Sequence, residues 1–155
     1  MPATNQMDSG RCWMFGTLNL FRFGTCQALN VSDFEFSESY LYFFYLLEQA
    51  NYFLEIVIET ADKPLHNRAL SYFLDEPIGD GGDWDIAINL LEKYGVVPKV
   101  VYPETQTSSN TDELVDALTN ILKATAATIR SESSLRNGGG GGGGTTPPLL
   151  PVTII

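Results

Sequence analysis

Basic residues are scarce in this sequence. The 155 residues include nine Lys and Arg against nineteen Asp and Glu, which gives a formal net charge of -10. An excess of negative charge argues against nonspecific binding to nucleic acid or to anionic membranes through bulk charge. We therefore predict neither a nucleic-acid partner nor a membrane partner.

Long apolar runs and a signal sequence are also missing. No stretch reaches the roughly 18 apolar residues of a membrane span, and the N-terminus lacks the basic start and apolar core of a signal peptide. Only two cysteines occur, Cys12 and Cys26, which suits a reducing compartment. These absences predict a cytoplasmic protein, and a chain of this length with 44% hydrophobic residues favours one domain with a real core.

One short segment carries the features of a catalytic site. Gln6 stands six residues before Cys12, and Trp13 follows at once. A thiol that attacks a peptide carbonyl produces an oxyanion, which a Gln amide and the backbone N–H of the nucleophile can stabilise. The apolar run after Cys12 predicts a helix with Ser9 or Gly10 as its N-cap. A thiol at that position faces the positive end of the helix dipole, which favours the thiolate.

The hydrophobic pattern predicts five helices and one extended segment. Apolar residues cover nearly every side of the first helix, so we expect it to be buried all round. Residues 96–102 are expected to be extended. The helices are predicted at 12–29, from an N-cap at Ser37 to near Thr60, from a first turn at Pro64 to before Pro77, from an N-cap at Asp83 to Gly95, and from a capping box at Asn110–Glu113 through Ile129.

Four blocks occur in the order Gly10–Trp13, Phe34–Ser37, Asp80–Asp85 and Glu92–Pro98. In this order they resemble the corresponding blocks of the bleomycin hydrolases, a family of papain-like cysteine peptidases. The similarity covers roughly residues 1–136. It implies an α+β papain-like fold, of which this chain forms mainly the α-helical left-hand lobe as a partial peptidase domain.

The resemblance also implies a function and a set of site residues. It implies a cytosolic cysteine-type aminopeptidase that also cleaves thiolactones and the amide of bleomycin, works on peptide substrates as a homohexamer, and needs no cofactor or metal. Cys12 would be the nucleophile and Gln6 an oxyanion donor. Gly81 and Gly82 would let substrate backbone approach the cleft, because only residues without a Cβ permit such contact.

Each of these residues also has an ordinary structural interpretation. Cys12 could be a small buried hydrophobe, Gln6 an exposed loop amide, and the two glycines plain turn residues. Cys26 is expected to fill the core, and His66, the only histidine, is expected to be a surface residue. The acidic residues near Asp83 do not follow the pattern of a calcium loop.

The composition changes after residue 136. Seven consecutive glycines are followed by Thr-Thr-Pro-Pro, so residues 137–155 are predicted to be a disordered linker-like tail. The family keeps its catalytic His and Asn in a strand-rich half that this sequence does not match. We therefore expect a chain truncated at both ends and inactive alone. The alternatives are a non-enzymatic lobe that binds or associates, and a pseudo-peptidase in which Cys12 has a redox role.

Overall fold

The computed structural model describes residues 1–65 and 67–138, which form helices joined by loops. The described residues contain no strand, only isolated bridges between Asp8 and Asn110 and between Phe36 and Pro98. His66 and residues 139–155, with the predictions made for them, lie outside the described residues. The helices are α1 (Cys12–Leu29), α2 (Glu38–Glu59), α3 (Arg68–Asp75), α4 (Trp84–Tyr94), α5 (Gln106–Ser109) and α6 (Asp112–Gly138).

Within this described part, no helix combines the length and the apolar character needed to cross a membrane.

Residues 1–47 and 79–116 form one compact unit. In this unit α1 packs against α4. Burial of apolar side chains is the main favourable term in its stability. The buried apolar residues of this unit include Met14, Phe15, Leu18, Phe36, Leu41, Tyr42, Tyr45, Leu46, Ala87 and Leu90.

Helix α1 begins and ends at the predicted residues, but only one of its faces is buried. The buried face follows helical spacing through Met14, Leu18, Arg22 and Cys26. Apolar residues between them remain in solvent, with Leu20 66% exposed. The expectation of a helix buried on all sides is therefore wrong for this structure, whereas the prediction that Cys26 fills the core is confirmed.

The predicted ends of α4 are confirmed. The Asp83 side chain accepts a hydrogen bond from the backbone N–H of Ile86 at 3.0 Å, so it caps the helix N-terminus. Gly95 ends the helix with φ of 70°, a positive value that favours glycine. Ser37 also acts as predicted, because its Oγ accepts the N–H of Tyr40 at 3.0 Å.

Three local predictions are wrong. Pro64 lies in a turn before α3, which begins four residues later, at Arg68. The segment 96–102 is not extended throughout, because it turns after Pro98 with a hydrogen bond from the Val101 N–H to the Pro98 carbonyl at 2.9 Å. Asn110 does not open α6; it ends the short helix α5, and α6 begins at Asp112.

Residues 48–78 and 117–138 belong to a second compact unit. Its buried apolar residues come from the later part of α2, from α3, from the loop that follows α3 and from α6. Arg130 of α6 donates a hydrogen bond to the carbonyl of Thr60 at 2.8 Å, which holds the loop that follows α2. The buried apolar residues are Phe53, Val57, Leu70, Ile78, Leu122 and Ala126.

Candidate active site

Cys12 is the first residue of α1, and its free thiol is exposed. The preceding residue, Arg11, is the N-cap and makes no capping bond with its side chain, so the predicted cap at Ser9 or Gly10 is wrong. The Arg11 carbonyl instead accepts the N–H groups of Met14 and Phe15, both at 3.0 Å. The thiol therefore stands in solvent at the positive end of a helix dipole.

Gln6 lies in a tight turn directly before this helix. Its Nε2 donates to the carbonyl of Ser9 at 2.8 Å, and the Ser9 hydroxyl donates back to the carbonyl of Gln6 at 2.6 Å. The same hydroxyl accepts the Nε–H of Arg11 at 3.0 Å. Ser9 thus connects Gln6 to Arg11, the residue directly before Cys12.

A buried ion pair holds Arg11. Its guanidinium is bidentate to Glu104, with N–O distances of 3.0 and 2.9 Å, and it lies over the rings of Phe15 and Tyr42. Burial alone would raise the pKa of Glu104, but hydrogen bonds from Arg11 and Ser108 outweigh it and hold the pKa below its ordinary value. Arg11 is fully buried, so the bidentate pair fixes the guanidinium in one orientation.

Asp80 joins the segments on both sides of Cys12 to the Gly81–Gly82 loop. Its carboxylate accepts the N–H of Gly10 at 2.9 Å and the hydroxyls of Tyr42 and Thr111. Its backbone carbonyl accepts the indole N–H of Trp13 at 2.9 Å. One residue therefore sets the separation between the start of α1 and the glycine loop.

The two glycines of this loop have different surroundings. A Cβ on Gly82 would lie 2.5 Å from the indole ring of Trp13, so close packing requires glycine there. A Cβ on Gly81 would meet nothing within 4 Å, although the Gly81 carbonyl accepts the hydroxyl of Tyr45. The structure gives Gly82 a packing reason and leaves the space at Gly81 open.

Both tyrosines beneath the loop are neutral hydrogen-bond donors at physiological pH. Burial, together with the charges of Asp80 and Asp83, raises the pKa of Tyr45 to about 12. Burial and the hydrogen bond to Asp80 raise the pKa of Tyr42 even further. The Tyr45 ring also meets the Trp13 ring edge to face at 4.9 Å between centroids.

Sequence reasoning singled out Gln6 and Cys12 as candidates but missed the residues that hold them in place. Arg11 stood in a quoted block without an assigned role, Asp80 was interpreted only as one of the acidic loop residues near Asp83, and Glu104 was not singled out at all. The contacts of these residues join distant parts of the chain. Gly10 and Asp80 are 70 residues apart in the sequence, and Arg11 and Glu104 are 93 residues apart. The one signal that the sequence offered for Arg11 was a charged residue directly before the predicted nucleophile.

In residues 1–65 and 67–138, no group of three His, Cys, Asp or Glu side chains could hold a metal ion.

Comparisons with known proteins agree with the four sequence blocks. A family model described as the Peptidase C1-like family matches residues 1–138. Aminopeptidase C of Lactobacillus delbrueckii subsp. lactis is 45% identical over 129 residues, which is 83% of this chain and 29% of that protein. Bleomycin hydrolase of Gallus gallus is 41% identical over 132 residues, covering 84% of this chain and 29% of that protein.

A solved structure also resembles the fold. The crystal structure of PepW from Lactobacillus rhamnosis HN001 (DR20) matches with a TM-score of 0.81 and 44% identity, covering 86% of this chain and 30% of that one. The chain thus spans less than a third of the length of these relatives. The predicted resemblance and the papain-like fold class are confirmed, and with a family model that covers most of its length the chain belongs to the Peptidase C1-like family.

Proposed function

We propose that this chain carries the nucleophile and the first oxyanion donor of a cysteine-type aminopeptidase. The observation that carries this proposal is the exposed Cys12 thiol at the first residue of α1, preceded by a turn in which Gln6 is fixed by hydrogen bonds. Residues 1–136 are the helical left-hand lobe of the peptidase in this proposal.

In the proposed reaction the Cys12 thiolate attacks the carbonyl carbon of a peptide bond. The Gln6 amide and the Cys12 backbone N–H donate hydrogen bonds to the oxyanion that forms. In the family mechanism a histidine then protonates the leaving amine, and water hydrolyses the acyl-enzyme. Gly81 and Gly82 line the substrate cleft, where open space beside Gly81 supports close approach of a substrate backbone.

The substrate class, assembly and location are part of the same proposal. The substrates are peptides with a free N-terminus, in keeping with relatives named aminopeptidase C. By the resemblance to bleomycin hydrolases, the complete enzyme is a homohexamer in the cytoplasm.

A chimera tests whether these residues perform the chemistry. Residues 1–138 replace the matching segment of the Lactobacillus delbrueckii aminopeptidase C, and hydrolysis of aminoacyl-aminomethylcoumarin is measured beside a Cys12→Ala chimera. We expect turnover that the alanine variant reduces by at least about a thousandfold. Both chimeras are first checked for native circular dichroism and a cooperative melt. A folded chimera with no turnover above its Cys12→Ala control would overturn the proposal and favour a non-enzymatic lobe.

A further inference from the structure

The turn before Cys12 is closed by two opposed hydrogen bonds between Gln6 and Ser9. The Gln6 side chain donates to the Ser9 carbonyl at 2.8 Å, and the Ser9 hydroxyl donates to the Gln6 carbonyl at 2.6 Å. A primary amide has two N–H donors. The first bond therefore directs one N–H toward the Ser9 carbonyl and leaves the second N–H for another acceptor.

The Ser9 hydroxyl is itself held by a rigid donor. The Arg11 Nε–H donates to it at 3.0 Å, while the rest of the guanidinium is bidentate to Glu104. A planar guanidinium paired at both ends has little freedom to rotate. The fully buried Arg11 therefore fixes the orientation of the Ser9 hydroxyl, and this hydroxyl holds the Gln6 carbonyl.

The backbone of this turn is strained. Met7 has φ of 54°, in the left-handed region that a residue with a Cβ seldom adopts. Such a conformation is unfavourable and persists only where surrounding contacts impose it. Those contacts include the bond from the Met7 N–H to the Asn5 side chain at 2.9 Å and the bond from the Asp8 N–H to the Ser109 carbonyl at 3.0 Å.

We propose that Ser9, held by Arg11, is a positioning residue that aims the free N–H of the Gln6 amide at the oxyanion formed on attack by Cys12. The inference rests on the proposed function, since it takes Gln6 to be the oxyanion donor. Removing the Ser9 hydroxyl breaks its bonds to the Gln6 carbonyl and to Arg11, so the turn opens on that side and the Ser9 carbonyl that accepts the Gln6 amide is no longer held in place. The amide then loses its fixed orientation, although the thiol keeps its place at the start of α1.

Two reactions of the same thiol distinguish positioning from a general effect on the site. Acylation of Cys12 by p-nitrophenyl acetate passes through a tetrahedral oxyanion, whereas alkylation by iodoacetamide does not. Both rates are measured on the folded 155-residue chain. Peptide mapping after pepsin digestion at acid pH, which preserves the thioester, separates adducts on Cys12 from those on Cys26. The readout is the ratio of the acylation rate to the alkylation rate at Cys12.

The variants are Ser9→Ala, Gln6→Ala and the double variant, with Ser32→Ala as the matched control because Ser32 is an exposed serine outside the turn. We expect Ser9→Ala to lower the ratio about fivefold, which is less than the effect of losing a complete oxyanion donor. Gln6→Ala should lower it at least as much, and the double variant should equal Gln6→Ala alone, because Ser9 acts through Gln6. Ser32→Ala should leave the ratio within twofold of the parent chain.

The outcomes separate this inference from the proposed function. If Gln6→Ala lowers the ratio and Ser9→Ala does not, the positioning role is refuted and Gln6 remains an oxyanion donor. If the two effects multiply in the double variant, Ser9 acts independently of Gln6 and the inference also fails. An unchanged ratio in Gln6→Ala would refute the assignment of Gln6 itself, and with it the role of Ser9.

Discussion

Replacing Glu38 with Gln should stabilise the protein in alkaline but not in acid solution. Glu38 is the first residue of α2 and is only 1% exposed. Among the described residues its Oε2 atom has no hydrogen-bond partner. Burial, followed by the charges of Glu35 and Glu104, raises its pKa from the ordinary 4.5 to about 7, against the lowering effects of its own backbone hydrogen bond and of Lys99.

The sign and size of the effect follow from this pKa. A carboxyl with a higher pKa in the folded state favours the protonated form, so its contribution is fully present below pH 4.5 and is lost as the pH rises through about 7. A pKa rise of this size corresponds to about 3 kcal/mol of folding free energy. Glutamine stays neutral throughout, so Glu38→Gln should gain that amount over the parent chain between pH 4.5 and pH 8.5.

Thermal unfolding followed by circular dichroism at several pH values measures the difference. For a chain of this size we expect the melting temperature of Glu38→Gln, relative to the parent, to rise by about 6–12 °C between pH 4.5 and pH 8.5. Glu59→Gln is the matched control, because Glu59 is the exposed last residue of the same helix. A difference in melting temperature between Glu38→Gln and the parent that stays constant within about 2 °C over this range would refute the reasoning. A carboxyl whose pKa rises on folding must make the free energy of unfolding depend on pH.

Three further predictions follow from the site. Iodoacetamide should label the exposed Cys12 at least about tenfold faster than the buried Cys26; faster labelling of Cys26 by peptide mapping would contradict the assignment. Gly82→Ala should lower the free energy of unfolding by about 1–3 kcal/mol in urea titrations, because its Cβ would overlap the Trp13 ring. Gly81→Ala, with open space around it, is the matched control and should cost less than about 1 kcal/mol. The 155-residue chain should release no coumarin from aminoacyl substrates beyond its Cys12→Ala control, because its single histidine matches no catalytic block of the family and the reaction needs a general acid.

Local rules predicted most of the helical framework. The N-cap of α4 depends on a nearby residue, since a capping side chain reaches a backbone N–H only two or three positions away. The predicted start of α6 failed where a distant segment binds a residue of the predicted capping box. Thr111 donates its hydroxyl to Asp80, and α6 starts beside it rather than at Asn110.

The burial of α1 shows the same limit. Its sequence is apolar on nearly every side, and such a pattern indicates only which helix faces are hydrophobic. Whether a given face is covered depends on the neighbours that the fold supplies. Here Met14 and Leu18 are covered, while Leu20 and Phe23 remain 66% and 60% exposed.

The sequence by itself determined the position of the thiol, the spacing of Gln6 and the family, because these depend on residue order along a short stretch. Only the tertiary structure decided what holds them in place. Arg11 meets Glu104 and Gly10 meets Asp80 across gaps of 93 and 70 residues. Contacts of such range arise only when the chain packs, because the partner that satisfies a buried charge or amide is selected by proximity in the folded state and not by spacing in the sequence.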